Sequence, residues 1–166
     1  MKNILFIFFF LSQLISCSLP LNSKVKQSEV FIVFHSRFFI NSILVGEKYF
    51  NSRTGFYKIY EKTSSTFIDK KIKVTLSQED VNNIYNKYKK LDIPNKKSCM
   101  KMTEENEDIL IERQILINSD DIDEVKECAV KENEQANINM ITSQLLNLIK
   151  SSEEYKKAFP QTDWEM

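Results

Sequence analysis

FYKIYEKTSSTFIDKKIKVTLSQEDVNNIYNKYKKLDIP, residues 56–94, contains the clearest secondary-structure signals in the chain. Residues 56–62 and 67–76 are rich in aromatic and β-branched side chains, and the polar Thr63-Ser64-Ser65 lies between them, which predicts a β-hairpin. In the second strand the apolar residues share one face, which consists of Ile68, Ile72, Val74 and Leu76. The other face consists of Lys71, Lys73 and Thr75. This period of two predicts a strand with one buried side.

A helix is predicted directly after this hairpin. Ser77 fits an N-cap, and Asp80 occupies the position of the acid in a capping box. Apolar and aromatic residues then recur at helical spacing: Val81, Ile84, Tyr85, Tyr88 and Leu91. Pro94 is expected to end the run because proline cannot continue a helix.

Towards the N-terminus, Val30 to Phe34 is apolar on both faces and predicts a buried strand. The segment 37–45 is also apolar, but Asn41 and Ser42 interrupt it. We expect Gly46 and residues 51–55 to break the chain between elements.

Towards the C-terminus, residues 109–117 predict a strand with a second hairpin, which turns at 118–121 and returns through 122–130. A second amphipathic helix is predicted from Ile138, Ile141, Leu145, Leu148 and Ile149, and residues 152–158 are expected to extend it before Pro160. The order of elements predicts an α+β fold, an antiparallel sheet of about four to six strands with two amphipathic helices packed on one face.

The first twenty residues have the composition of an export signal. Lys2 precedes an apolar run from Ile4 to Leu11, and a small residue and a cysteine, Ser16 and Cys17, close the segment. A transmembrane helix needs about 20 apolar residues, so a retained membrane helix is the weaker interpretation.

The tetrapeptide Leu14-Ile15-Ser16-Cys17 resembles the lipobox of bacterial lipoproteins. The resemblance implies that residues 1–16 are removed as a signal peptide and that Cys17 carries the lipid that binds the protein to a membrane. Ser18 after the cysteine implies an outer-membrane lipoprotein of the cell envelope. The alternative is an ordinary secretory signal, which would release a soluble protein starting near Leu19.

These boundaries divide the chain into four segments: the signal peptide 1–16, a lipid-anchored tether 17–28, a single α+β domain 29–160, and a loose C-terminal tail 161–166 with Trp164. We expect Tyr155 and Phe159 to pack on the domain. Loss of residues 1–16 would leave 22 basic and 23 acidic residues. This balance gives no overall field that would attract nucleic acid. The two glycines do not form a phosphate-binding loop, and we expect no cofactor.

Two cysteines remain once Cys17 is lipidated or removed. An exported chain with one leftover pair predicts a disulfide between Cys99 and Cys128, with two free buried thiols as the alternative. We place Cys99 in the loop that leads into the second hairpin and Cys128 in its return strand. Two thiols and one histidine make a poor metal-ligand set.

The residues that could carry chemistry are few. His35 is the single histidine, and a hydrolase would need a nucleophile and an orienting acid beside it. Residues 118–124 have the oxygen density of a calcium loop but lack its glycine and late glutamate, so a polar turn is the better interpretation. One hypothesis is an aromatic binding surface for a ligand or partner that consists of Phe56, Tyr57, Tyr60 and Phe67. The alternative is that these rings serve core and cross-strand packing.

From Gly55 to Leu91 the chain resembles small Bacteroidetes lipoprotein domains in which a hairpin runs into a leucine-serine helix. It has Thr63-Ser64-Ser65 where those domains have a glycine-rich turn. They have no assigned catalytic residues, so the resemblance implies no active site. We therefore expect a non-enzymatic, lipid-anchored domain that binds an envelope or extracellular protein. The alternatives are an inhibitor of a hydrolase and a hydrolase using His35.

Overall fold

A six-stranded antiparallel sheet forms the centre of the molecule. The structure is a computed structural model that describes residues 29–91, 96–104 and 106–160. The strands are β1 Ile32–Ile40, β2 Ile43–Asn51, β3 Phe56–Lys62, β4 Phe67–Lys73, β5 Ser98–Glu104 and β6 Glu107–Ile117, in the spatial order β4-β3-β2-β1-β6-β5. The helices in this part of the chain are α1 Gln78–Lys90, α2 Glu132–Ser151 and α3 Glu153–Ala158. The predicted α+β class is therefore confirmed.

Several predictions fall outside the described residues. They are the signal peptide 1–16, the lipidation site Cys17, the tether 17–28, the helix stop at Pro94 and the C-terminal tail 161–166. None of the helices that the structure describes combines the length and apolar character needed to cross a membrane.

The helices pack on one face of the sheet, here called the helix face. Its buried side chains form one cluster: Ile32, Phe34, Phe50, Tyr57, Ile59 and Ile115 from strands, Val81 and Ile84 from α1, and Ile141, Leu145 and Ile149 from α2. Because side chains alternate along a strand, Val33 and His35 point to the opposite side, the open face. The predicted arrangement of helices on one face is confirmed.

The hairpin β3–β4 and the helix that follows it form, although β4 ends at Lys73 and not at Leu76 as predicted. Ser77 Oγ accepts a hydrogen bond from the Asp80 backbone N–H at 3.1 Å, and the same hydroxyl donates to Asp80 Oδ2 at 2.6 Å. Both contacts satisfy polar groups of the first turn of α1, which has no intrahelical partners for its N–H groups.

The segment 37–45, which has no regular alternation in sequence, forms the end of β1, the turn and the start of β2 in the first hairpin. Asn41 and Ser42 have φ angles of 48° and 67°, the left-handed conformation that two-residue hairpin turns require. The expectation that Gly46 breaks the chain is wrong, because Gly46 lies inside β2 opposite Phe38. A β-bulge beside this pair accounts for the lost alternation.

The predicted return strand 122–130 is wrong. β6 already has β1 on one side and β5 on the other, so no strand edge is free to pair with it. β5 precedes β6 and turns into it through Asn106, whose φ is 72°. Residues 118–131 instead form a covering loop over one end of the open face, where Ile122 and Val125 pack against Val33 and Leu116.

The expected extension of the second helix through residues 152–158 is a separate short helix. Ser152 has extended backbone angles and caps α3 by accepting from the Tyr155 N–H at 3.2 Å. The Tyr155 ring lies 5.9 Å from that of Tyr57 and 4.7 Å from that of Phe159. The prediction that Tyr155 and Phe159 pack on the domain is confirmed.

Candidate functional site

A disulfide joins Cys99 and Cys128, as predicted, with their Cα atoms 5.6 Å apart. Their positions differ from the prediction. Cys99 lies in the edge strand β5, and Cys128 lies in the covering loop, where a single bridge pairs it with Lys97. Lys97 also exchanges backbone hydrogen bonds with Glu127 and Ala129, at 3.0 and 2.8 Å. The disulfide therefore fastens the covering loop to the edge of the sheet.

His35 lies in β1 on the open face and is 4% exposed. Its Nε2 is 2.9 Å from Glu47 Oε1, and Lys58 Nζ donates to Glu47 Oε2 at 2.8 Å. Burial lowers the pKa of the His35 imidazole, and this effect outweighs the hydrogen bond to Glu47, which raises it. Burial raises the pKa of Glu47, but the hydrogen bonds from Lys58 and His35 outweigh it, so this pKa lies below its ordinary value.

A second ion-pair network continues across the open face. Glu112 of β6 lies 2.6 Å from Arg37 Nη2 and 2.5 Å from Lys97 Nζ through its two carboxylate oxygens. Each acid on this part of the sheet is thus shared between two basic groups. Half-buried charges need such partners, since an unpaired one would carry a large desolvation cost.

This arrangement gives the His35 hydrolase hypothesis no support. Among the described residues, no serine, threonine or cysteine side chain hydrogen-bonds to the imidazole, and Ser36 points to the other face. A histidine–carboxylate pair without an exposed nucleophile lacks the group that attacks a substrate. We interpret His35 and Glu47 as a structural pair.

Aromatic and lysine side chains form an exposed surface on the open face of β3 and β4, here called the aromatic–lysine face. It consists of Phe56, Lys58, Tyr60, Phe67, Lys71 and Lys73. Phe56 and Phe67 are 43% and 68% exposed. The Tyr60 and Phe67 rings meet edge to face at 6.2 Å, and Lys71 Nζ lies 4.0 Å from the centroid of Phe56.

Tyr57 does not belong to this surface, and its predicted place there is wrong. It is 1% exposed and lies in the core of the helix face, because its position is one residue away from Phe56 in a strand whose side chains alternate. Burial raises its pKa. The sequence could not assign the faces of β3, since both faces of this strand are apolar.

A groove of about 1070 Å³ lies on the helix face beyond the helices, and we call it the distal groove. It forms where the β1–β2 hairpin and β6 extend past the helices. At this end of the sheet the Asn41 N–H donates to the Asp108 carbonyl at 2.8 Å, and the Asp108 N–H donates to Asn41 Oδ1 at 2.9 Å. Its apolar lining comprises Phe38, Ile40, Ile43, Leu44, Val45 and Ile111. Ile43 is 67% exposed.

Basic residues line the end of the distal groove nearest α2. Lys48 and Arg113 line it there, and Arg113 Nη1 donates to Asn139 Oδ1 of α2 at 3.4 Å. Burial lowers the pKa of Lys48, the neighbouring cation Lys150 lowers it further, and Glu61 partly opposes them. Our sequence reasoning missed this site, because its residues come from separate strands and no local pattern shows where the helices end.

The polar segment 118–124 is a turn held by its own side chains. Ser119 Oγ donates to Glu124 Oε2 at 2.7 Å, and the Asp123 N–H donates to Asp121 Oδ1 at 3.0 Å. Asp120 contacts Asn51 and Arg53. Within the described ranges, no group of three or more His, Cys, Asp or Glu side chains is placed to hold a metal ion.

Comparisons with protein families, with characterised proteins and with solved structures find no match to this chain. The likenesses to bacterial lipoproteins and to the Bacteroidetes domains therefore stay predictions from the sequence.

Proposed function

We propose that this protein is a lipid-anchored protein of the cell envelope whose domain, residues 29–160, is a non-enzymatic binding module. In this proposal Cys17 carries the lipid, and the aromatic–lysine face contacts a partner protein of the envelope or the extracellular space. The observation that carries the binding proposal is the pair of exposed rings, Phe56 and Phe67, on a sheet face that the helices leave uncovered.

The composition of the aromatic–lysine face indicates the chemistry of its partner. Phe56 and Phe67 supply rigid apolar contact area of the kind that dominates protein interfaces. Lys71 and Lys73 lie beside them, while Asp69 is the acid on the same side of β4. A partner with acidic groups around an apolar centre would complement this arrangement, because charge complementarity steers association and excludes wrong partners.

A capture experiment tests the contact surface. The mature chain is used as bait against envelope and extracellular extracts, in wild-type form and as the double variant Phe56→Ser with Phe67→Ser. Val130→Ser is the matched control, because Val130 is 85% exposed and lies away from β3 and β4. We expect the same protein to be retained by wild type and control and to be lost from the double variant. Equal retention by all three would refute the assignment of this face.

The anchor is tested separately through Cys17. Intact-mass analysis of the membrane-extracted protein should show loss of residues 1–16 and a diacylglycerol-modified Cys17. Cys17→Ser should move the protein from the membrane fraction to the soluble fraction, whereas Ser18→Ala should not. A lipid-free mature chain starting at Leu19 would support the secreted alternative instead.

Inhibition of a hydrolase is the second candidate, and one observation favours it. The covering loop is tied to β5 by the disulfide, and two residues after Cys128 it exposes Val130 at 85%. A loop held rigid in this way loses little conformational entropy when it inserts into another protein's cleft. Inhibition of an envelope or extracellular hydrolase that Val130→Ser abolishes and Phe67→Ser leaves unchanged would support this candidate over the first.

A further inference from the structure

The distal groove combines an apolar floor with one basic end. The apolar rows of the core continue beyond the part of the sheet that the helices cover, through Phe38 and Ile40 of β1 and Ile111 of β6. Gly46 lies opposite Phe38, and a Cβ there would be 3.3 Å from the Phe38 Cβ, so a larger residue at this position would press against the floor. Large apolar concave surfaces in a soluble domain usually mark an interaction site.

The charge at the basic end is incompletely balanced. Lys48 and Arg113 line the groove there, and Glu61 is the acid beside Lys48. Arg113 bonds to the neutral side chain of Asn139 rather than to a carboxylate. One additional negative charge at this place would relieve the repulsion between the cations, and the partly desolvated setting would strengthen the interaction.

We propose that the distal groove binds a free aliphatic carboxylate, with its carboxylate at Lys48 and Arg113 and its chain along Phe38, Ile40 and Ile111. From Ser36 to Ile40 the strand advances about 14 Å, which suits a saturated chain of about a dozen carbons. This site uses the opposite side of the sheet from the aromatic–lysine face. It therefore does not depend on the proposed protein contact.

Charge also argues against a second copy of the chain as the occupant. A symmetric dimer through this groove would place the same patch of each copy against the other. The basic ends would then either face each other, which costs free energy, or lie against the far end of the groove, where Glu107 is the acid among mostly apolar side chains. An anion with one aliphatic tail would pair its charge with Lys48 and Arg113 and bury its tail against the apolar floor of the groove.

The test is photolabelling of the full chain in envelope membranes with a dodecanoate analogue that carries a diazirine near its tail. Peptide mapping should place the label on residues 38–45 and 109–111, and unlabelled dodecanoate should compete. Lys48→Met should lower labelling about tenfold, the change expected from losing one charge-assisted hydrogen bond, and Lys48→Arg should restore it. Lys71→Met on the open face is the matched control and should label as wild type does.

Two further arms make the outcome decisive. A dodecanol analogue with the same diazirine should label the groove far less, because it lacks the charge. Ile43→Glu places a negative charge at the exposed tail end without altering the core, and it should also reduce labelling by the carboxylate.

Label outside the groove, equal labelling by the alcohol, or cross-links between the grooves of two copies would each overturn the proposal. The double variant Phe56→Ser with Phe67→Ser should leave labelling unchanged. The labelling experiment therefore tests the distal groove separately from the protein contact, which the capture experiment tests.

Discussion

Removal of the disulfide is the perturbation whose size follows most directly from the structure. Cys99 and Cys128 are separated by 29 residues in sequence. In the chain-entropy model, closing a loop of that length in the unfolded state stabilises the folded state by about 3.6 kcal/mol. For a domain of this size, that loss corresponds to a fall in the melting temperature of roughly 10–15 °C.

The loss should act mainly on the unfolded state because other contacts hold the covering loop. Gln114 Nε2 donates to the Ile122 carbonyl at 2.7 Å, and Val125 is 4% exposed against Val33 and Leu116. Lys97 keeps its backbone hydrogen bonds to the loop. The fold should therefore survive reduction, while hydrogen exchange should become faster in residues 119–130 and also at those amides of β1 to β4 that exchange only through global unfolding.

The assay is urea unfolding of the Cys17→Ser chain, oxidised and reduced, with the double variant Cys99→Ala and Cys128→Ala alongside. Cys17→Ser leaves only the thiols of the pair, since the chain has three cysteines. The reduced protein and the double variant should agree with each other and be about 3–4 kcal/mol less stable than the oxidised protein. A difference below about 1 kcal/mol, with the bond confirmed by non-reducing peptide mapping, would refute the loop-entropy reasoning.

Three other expectations follow from the described contacts. Ser77→Ala should lower the free energy of unfolding by about 1 kcal/mol through loss of the N-cap, while Ser64→Ala in the exposed turn should leave it nearly unchanged; equal effects would place the helix start elsewhere. Tyr57→Ala should cost about 3–5 kcal/mol and Phe67→Ala less than about 0.5 kcal/mol, so similar losses in thermal unfolding would contradict the assignment of the two faces. Burial lowers the pKa of His35 in the folded state below its ordinary value of 6.5. The contribution of His35 to stability is therefore complete above pH 6.5 and is lost as the pH falls through the folded pKa. His35→Gln should remove this part of the dependence of unfolding free energy on pH, and an unchanged dependence would show that His35 is not its source.

The local elements were predictable because their causes lie between residues close together in sequence. The Ser77 cap and the β3–β4 hairpin depend on contacts across a few positions, and period-two alternation placed the inward residues of β4. The disulfide followed from counting cysteines once Cys17 was assigned to the signal, and not from any knowledge of distance.

The errors occurred where pairing between strands decided the outcome. Residues 122–130 have strand-like side chains, but β6 has its partners already, so this segment covers the open face instead. Gly46 looks like a breaker in sequence, yet the sheet uses its missing side chain to accommodate Phe38. In both cases the neighbour that matters lies on another strand of the sheet.

By itself the sequence determined the α+β class, the hairpin, the capped helix and the cysteine pair. It also predicts a lipid anchor at Cys17. Only the tertiary structure decided which aromatic rings are exposed, that His35 is paired with Glu47, and that the distal groove ends at Lys48 and Arg113. The physical reason is that periodicity records which side chains share a face. Whether a face is covered depends on where separate strands and helices meet. Asn41 hydrogen-bonds to Asp108 at the end of the sheet that lies beyond the helices, and Arg113 hydrogen-bonds to Asn139 of α2 at the basic end of the distal groove.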